Sequence, residues 1–102
     1  AYQKVLDIGG KDETTARCQL QVGECLFAQK KYAEAVPEFL KVRINFNYPD
    51  LSSLALLEMG RALEASGKAD QARSTYEELI RDFPKSKSAV VAKPLLSKLV
   101  QN

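Results

Sequence analysis

The chain repeats itself. Shifted by 37 residues, its apolar and small positions superpose: Tyr2 falls on Phe39 and Tyr76, Val5 on Val42 and Leu79, and Cys18 on Ala55 and Ala92. Val22 falls on Met59 and Leu96, Gly23 on Gly60 and Ser97, and Ala35 on Ala72. The polar residues between them do not match. A recurrence that keeps bulk and polarity while the rest drifts preserves packing. It restricts the chain to architectures in which one supersecondary unit is stacked on the next. The length differences gather around the prolines: Gly23 to Pro49 is 26 residues, Gly60 to Pro84 is 24. Loops absorb such differences and helix interiors do not.

The repeated segments have helical rhythm. Ala35, Val36, Phe39, Leu40 and Val42 fall at spacings of three and four, as do Ala72, Tyr76, Leu79 and Ile80, and strand alternation is nowhere sustained. Six helices are predicted, at about 1–8, 13–29, 32–46, 51–66, 69–82 and 87–101. Asp12 is placed to cap the second, and Asp50 or Ser52 the fourth. Gly9-Gly10 ends the first and Gly67 follows the fourth as a stop. Tyr48-Pro49 and Phe83-Pro84 interrupt the chain where the next helix turns back. Pro37 lies about one turn into its helix; Pro94 falls near the middle of the last, where a kink or a break is expected. The joins are short, so consecutive helices are antiparallel neighbours.

Composition removes several functions. Fifteen basic against thirteen acidic residues give +2, too little for a general nucleic-acid binder. The longest apolar stretches, such as Leu54–Leu57, are far short of a membrane span. There is no signal-peptide pattern and no initial Met, so an export signal could have been removed. The absence of histidine removes the commonest general base and most metal sites. Glu77 and Glu78 are adjacent, so on a helix they diverge by about 100° and do not converge as an acid–base pair. Gly9-Gly10 has no strand before it and no Lys-Ser/Thr after it, unlike a phosphate loop. Cys18 and Cys25 lie two helical turns apart, too far for a disulfide within one helix. They read as free, small core residues. No enzyme, metal or cofactor is indicated.

These residues resemble the tetratricopeptide repeat. Counted from Ala16, Gly23, Ala35 and Phe39 occupy that motif's small, small and aromatic places. Counted from Ser53, Gly60, Ala72, Tyr76 and Pro84 occupy its small, small, aromatic and proline places. Pro49 is displaced by two residues, and the aromatic often found at the fourth place is replaced by Gln19 and Leu56. The resemblance implies an all-α fold, antiparallel helix hairpins stacked as a short right-handed α-solenoid. It makes 1–102 a single domain: 1–10 the second helix of a truncated preceding repeat, 13–49 and 50–86 whole repeats, and 87–102 a terminal or capping helix. The joint Asp82-Phe83-Pro84-Lys85-Ser86, followed by Ala89 and Ala92, resembles the flavour found in bacterial cell-envelope members. Those include the coordinators associated with Tol–Pal and the lipoproteins of outer-membrane assembly. That leans towards the envelope or periplasm, although relatives of this flavour also occur elsewhere.

The resemblance also implies where a partner would sit. In such arrays the first helix of each pair lines a concave surface. Its places are Arg17, Leu20, Glu24 and Phe27 in the first unit and Leu54, Leu57, Arg61 and Glu64 in the second. Val91, Pro94, Lys98 and Gln101 follow in the last helix. An apolar strip bordered by charges of both signs is expected, suited to a peptide segment of a partner protein; the bland alternative is that the leucines pack inward. Leu20 and Glu24 stand where carboxylate-gripping relatives carry cationic or amide groups, so that specialisation is rejected. The alternative function is self-assembly, a homo-oligomer formed through exposed end helices. Residues 83–102 hold Lys85, Lys87, Lys93 and Lys98 and no acid, which reads as a solvated terminal face.

Overall fold

A computed structural model describes residues 12–101. They form five helices: α1 (Glu13–Ala28), α2 (Tyr32–Asn45), α3 (Pro49–Ala65), α4 (Ala69–Asp82) and α5 (Lys87–Gln101). Each packs on the next through a short join, as a stack of helix hairpins. No strand occurs among the described residues. The fold is the expected all-α helical-repeat solenoid. The helix expected at 1–8, with Gly9-Gly10, lies outside the described residues.

Capping explains most of the boundaries. The Asp12 carboxylate accepts from the Thr15 backbone N–H and hydroxyl, both at 2.8 Å. These bonds hold its pKa below the ordinary value. Asp50 and Ser52 are not caps. The chain enters α3 from extended Tyr48, and Pro49 is the first helical residue. There its fixed φ suits the helix and its missing N–H costs nothing. Pro84 instead sits in the turn before α5. Ser86 caps that helix, its Oγ accepting from Ala89 N–H at 3.0 Å and donating to the Phe83 carbonyl at 2.8 Å. The aromatic-Pro-x-Ser joint is thus a turn and an N-cap, and Ala89 and Ala92 below it are fully buried. Pro94 does not break α5. Pro94 and Val90, whose carbonyl the ring frees, both lie on the exposed side, where water can satisfy that oxygen.

Both hairpins turn by one device. Gly67 N–H bonds to the Glu64 carbonyl and Lys68 N–H to Leu63, at 3.0 and 2.8 Å. This double closure needs a left-handed residue, and Gly67 has φ +82°. Thirty-seven residues earlier, Lys30 and Lys31 make the matching bonds to Phe27 and Leu26, both at 2.9 Å, with Lys30 at φ 63°.

Inside each hairpin an aromatic ring lies on a glycine. Phe39 and Tyr76 are fully buried, as are Ala35 and Ala72 one turn earlier. A Cβ added at Gly23 would stand 2.6 Å from two Phe39 ring carbons; one at Gly60 would stand 2.8 Å from Tyr76 Cδ1. A larger residue must push the rings away, at about 1–3 kcal/mol. Buried Gln19 adds a polar tie, its amide donating to the Glu38 carbonyl at 3.0 Å and carboxylate at 2.8 Å.

Stacking joins the hairpins. α1 touches α3 and α3 touches α5, whereas the backbones of α2 and α4 do not approach. A cleft of about 440 Å³ separates α2 from α4, with Val36, Leu40, Met59 and Leu63 among its lining residues. Near their C-terminal ends Arg43 spans the gap, 3.4 Å from Glu78, 3.1 Å from Asp82 and over the Phe83 ring. First helices that touch and second helices that part make an array curved around its first helices.

The two left-handed positions generate a reciprocal prediction. A lysine there carries a steric cost that glycine lacks. Lys30→Gly should stabilise the chain by about 0.5–1 kcal/mol, and Gly67→Ala, whose new Cβ meets nothing within 4 Å, should destabilise it by about as much. Chemical denaturation of the two variants checks both signs.

Candidate functional site

The inner surface is built from α1, α3 and α5, and two leucines hold its first seam. Leu20 and Leu57 are each 5% exposed and belong to the core. They were expected to form an open apolar strip. Instead they pack inward, because α1 and α3 approach closely enough to remove both from water. Leu54 and Phe27, also expected in the strip, are half-buried against the same core, and Phe27 meets Tyr32 edge-to-face at 5.1 Å between centroids. What remains open along the seam is polar.

The charged residues fall into two groups. Arg17 is exposed and paired with Glu13 one turn away, at 2.8 Å. Glu24 of α1 lies in the field of Glu58 of α3, and Arg61 approaches Glu58 at 3.7 Å. Burial, then the Glu58 charge, raise the Glu24 pKa above its ordinary value. Glu24, Glu58 and Arg61 therefore form one cluster across the α1–α3 seam. Glu64 faces its own hairpin, where it accepts a hydrogen bond from the Tyr76 hydroxyl. Burial and that carboxylate push the Tyr76 pKa far above its ordinary value. Tyr76 is thus a neutral donor that fixes Glu64. The first repeat carries Phe27 and Phe39 at these two places and has no such bond.

The structure brings Glu24 and Arg61 together through Glu58, seats Leu20 and Leu57 beneath them, and leaves Arg17, Phe27 and Glu64 engaged within their own hairpins. Glu58 was missed because the family's groove places skip it; its spacing of three from Arg61 was the available signal. Neither cysteine is a core residue: Cys18 is half-buried and Cys25 exposed, and both are free thiols. No group of three or more acidic or cysteine side chains that could hold a metal occurs among the described residues. No helix among them is long and apolar enough to cross a membrane.

Residues 54–86 match the family model of the tetratricopeptide repeat. The matched span covers most of α3, all of α4 and the turn that caps α5, and so contains the Gly60–Tyr76 crossing and the Gly67 turn. Residues 54–86 are thus similar to a tetratricopeptide repeat, and the hairpin stack as a whole is an all-α helical-repeat solenoid. Such repeats generally mediate protein–protein interaction and are typically non-catalytic. No curated protein matches the chain.

The raised Glu24 pKa fixes the sign of a pH effect. Folding takes up a proton at a group whose folded pKa exceeds its unfolded value of 4.5. Its charged form therefore costs stability above the folded pKa, and the cost vanishes as pH falls towards 4.5. Glu24→Gln should be more stable than the parent at neutral pH, with the gap closing on acidification. Urea titrations at several pH values would show it.

Proposed function

We propose that the chain is a non-catalytic scaffold that holds a segment of a partner protein against the inner surface of α1, α3 and α5. One observation carries this reading: the first helices lie side by side and present the Glu24–Glu58–Arg61 cluster across a seam that needs none of these charges for its packing. Leu20 and Leu57 already close that seam. Charges of both signs along this surface suit a polar segment with its own charges of both signs, and select register more than raw affinity. Arg17 and half-buried Leu54 extend the strip at its two margins. An acidic pair at the seam disfavours a bare terminal carboxylate. A cell-envelope setting is suggested only by the resemblance of the Phe83-Pro84-Lys85-Ser86 joint with Ala89 and Ala92, whose turn-and-cap geometry is a feature of the fold.

The test reverses charge without touching the core. Glu24→Lys combined with Arg61→Glu should leave the helical circular dichroism and cooperative unfolding intact. It should lower recovery of partners captured from an extract of the source cells by about tenfold, the equivalent of about 1.4 kcal/mol. Undiminished recovery by the folded double variant would remove the inner surface as the site.

A further inference from the structure

A pocket of about 480 Å³ lies where the start of α3 meets the turn into α5. Its two walls belong to successive first helices of the stack: Asp50, Ser53 and Leu54 on one side, Lys85 to Ser88 on the other. The serines are engaged differently. Ser86 Oγ caps α5, accepting from Ala89 N–H at 3.0 Å. Ser53 Oγ donates to the Asp50 carbonyl, also at 3.0 Å. Ser88 is 8% exposed, and its hydroxyl has no partner among the described residues. That oxygen is not sealed in the core, where among the described residues only Arg43 Nε lacks a hydrogen bond. It therefore opens on the pocket that Ser88 lines. The N–H groups of Lys87 and Ser88 are without acceptors too, because the Ser86 cap serves only Ala89 and, through its carbonyl, Val90.

Charge and the supply of donors decide what fits. Lys85 and Lys87 both line the pocket, and among the described residues neither is paired with an acid. The positive end of the α5 dipole adds to them, and the first turn of that helix holds no acid. Asp50 is the one negative group on the walls, so the balance stays positive. A buried hydroxyl without a partner is costly, and an acceptor placed here removes that cost while taking up both N–H groups. Two N–H groups, a hydroxyl and two ammonium groups offer more donors than the two oxygens of a carboxylate engage. They match the three terminal oxygens and the nearly double negative charge of a phosphate monoester. Half-buried Leu54 supplies an apolar contact for the carbon that carries the ester. We propose that this pocket binds a phosphate monoester, with Ser88 and the first N–H groups of α5 on its oxygens and Lys85 and Lys87 balancing its charge. The pocket borders the inner surface at Leu54, but the proposal does not depend on that surface holding a partner.

The test titrates the isotope-labelled 102-residue chain with the phosphate ester of N-acetylserine amide, at neutral pH and low salt, and follows the amide resonances. Those of Lys87 and Ser88 should move most and saturate. Ser88→Ala should weaken binding by about tenfold, and Lys85→Gln combined with Lys87→Gln by at least about as much. Asp50→Asn should tighten it by about fivefold, since it removes the charge that opposes the ligand. Inorganic phosphate should bind about fourfold more weakly than the ester, the worth of one buried methylene. Circular dichroism of each variant checks that the helices are kept. An affinity indifferent to Ser88→Ala would overturn the proposal. So would shifts of equal size at the starts of the other helices, inorganic phosphate binding as tightly as the ester, or a loss of affinity in Asp50→Asn.

Discussion

A ring laid on a bare stretch of backbone sets the spacing of each hairpin. Phe39 on Gly23 and Tyr76 on Gly60 let two helices approach closer than any pair of side chains would permit, and Ala35 and Ala72 keep the same crossings narrow one turn away. The close approach allows joins of only a few residues, closed by the left-handed turns at Lys30 and Gly67. Once the hairpins are narrow, one apolar side of each remains uncovered, and the next hairpin covers it. Leu20, Ala55, Leu57 and Ala92 are buried by that stacking. The curvature, and with it the inner surface, follows from first helices that meet and second helices that do not.

Packing and surface charge are thereby placed on different atoms. The seam between α1 and α3 is held by Leu20 and Leu57, and the outer gap is spanned by Arg43 against Glu78 and Asp82, with both acids on α4. Such partly exposed pairs contribute little each, and their geometry ties the second helices at one end only. The charges of the inner surface lie above the seam, outside that packing. Glu64 is the exception, since the Tyr76 hydroxyl binds it to the hairpin of the second repeat.

The 37-residue register made most of this legible. Four of the five described helices both begin and end within about a residue of their expected bounds, because apolar spacing and glycine stops report local geometry directly. The remainder depended on contacts that spacing does not encode. Asp50 looked like a cap, but Pro49 begins the helix itself, two residues early. Pro94 looked like a break, but its ring and the carbonyl it frees face solvent. Leu20 and Leu57 looked like groove, since a helical wheel gives direction and not the distance to the neighbouring helix. Cys18 and Cys25 looked like core for the same reason. Lys30 was recoverable: it aligns with Gly67, and a position that needs a left-handed residue in one repeat needs it in the other. The tie from Gln19 to Glu38 left no trace in the register, because Leu56 and Thr75 replace the pair in the second repeat.

The dependence of the hairpin on its ring and glycine is most directly measured as a coupling energy. Gly60→Ala, Tyr76→Leu and the pair would be unfolded in urea. If the new methyl is harmful because it meets the ring, the double variant should be less destabilised than the two single losses added, by about 1 kcal/mol or more. Losses that add to within about 0.5 kcal/mol would mean that the ring does not set the approach of α3 and α4, and the architecture would need another cause.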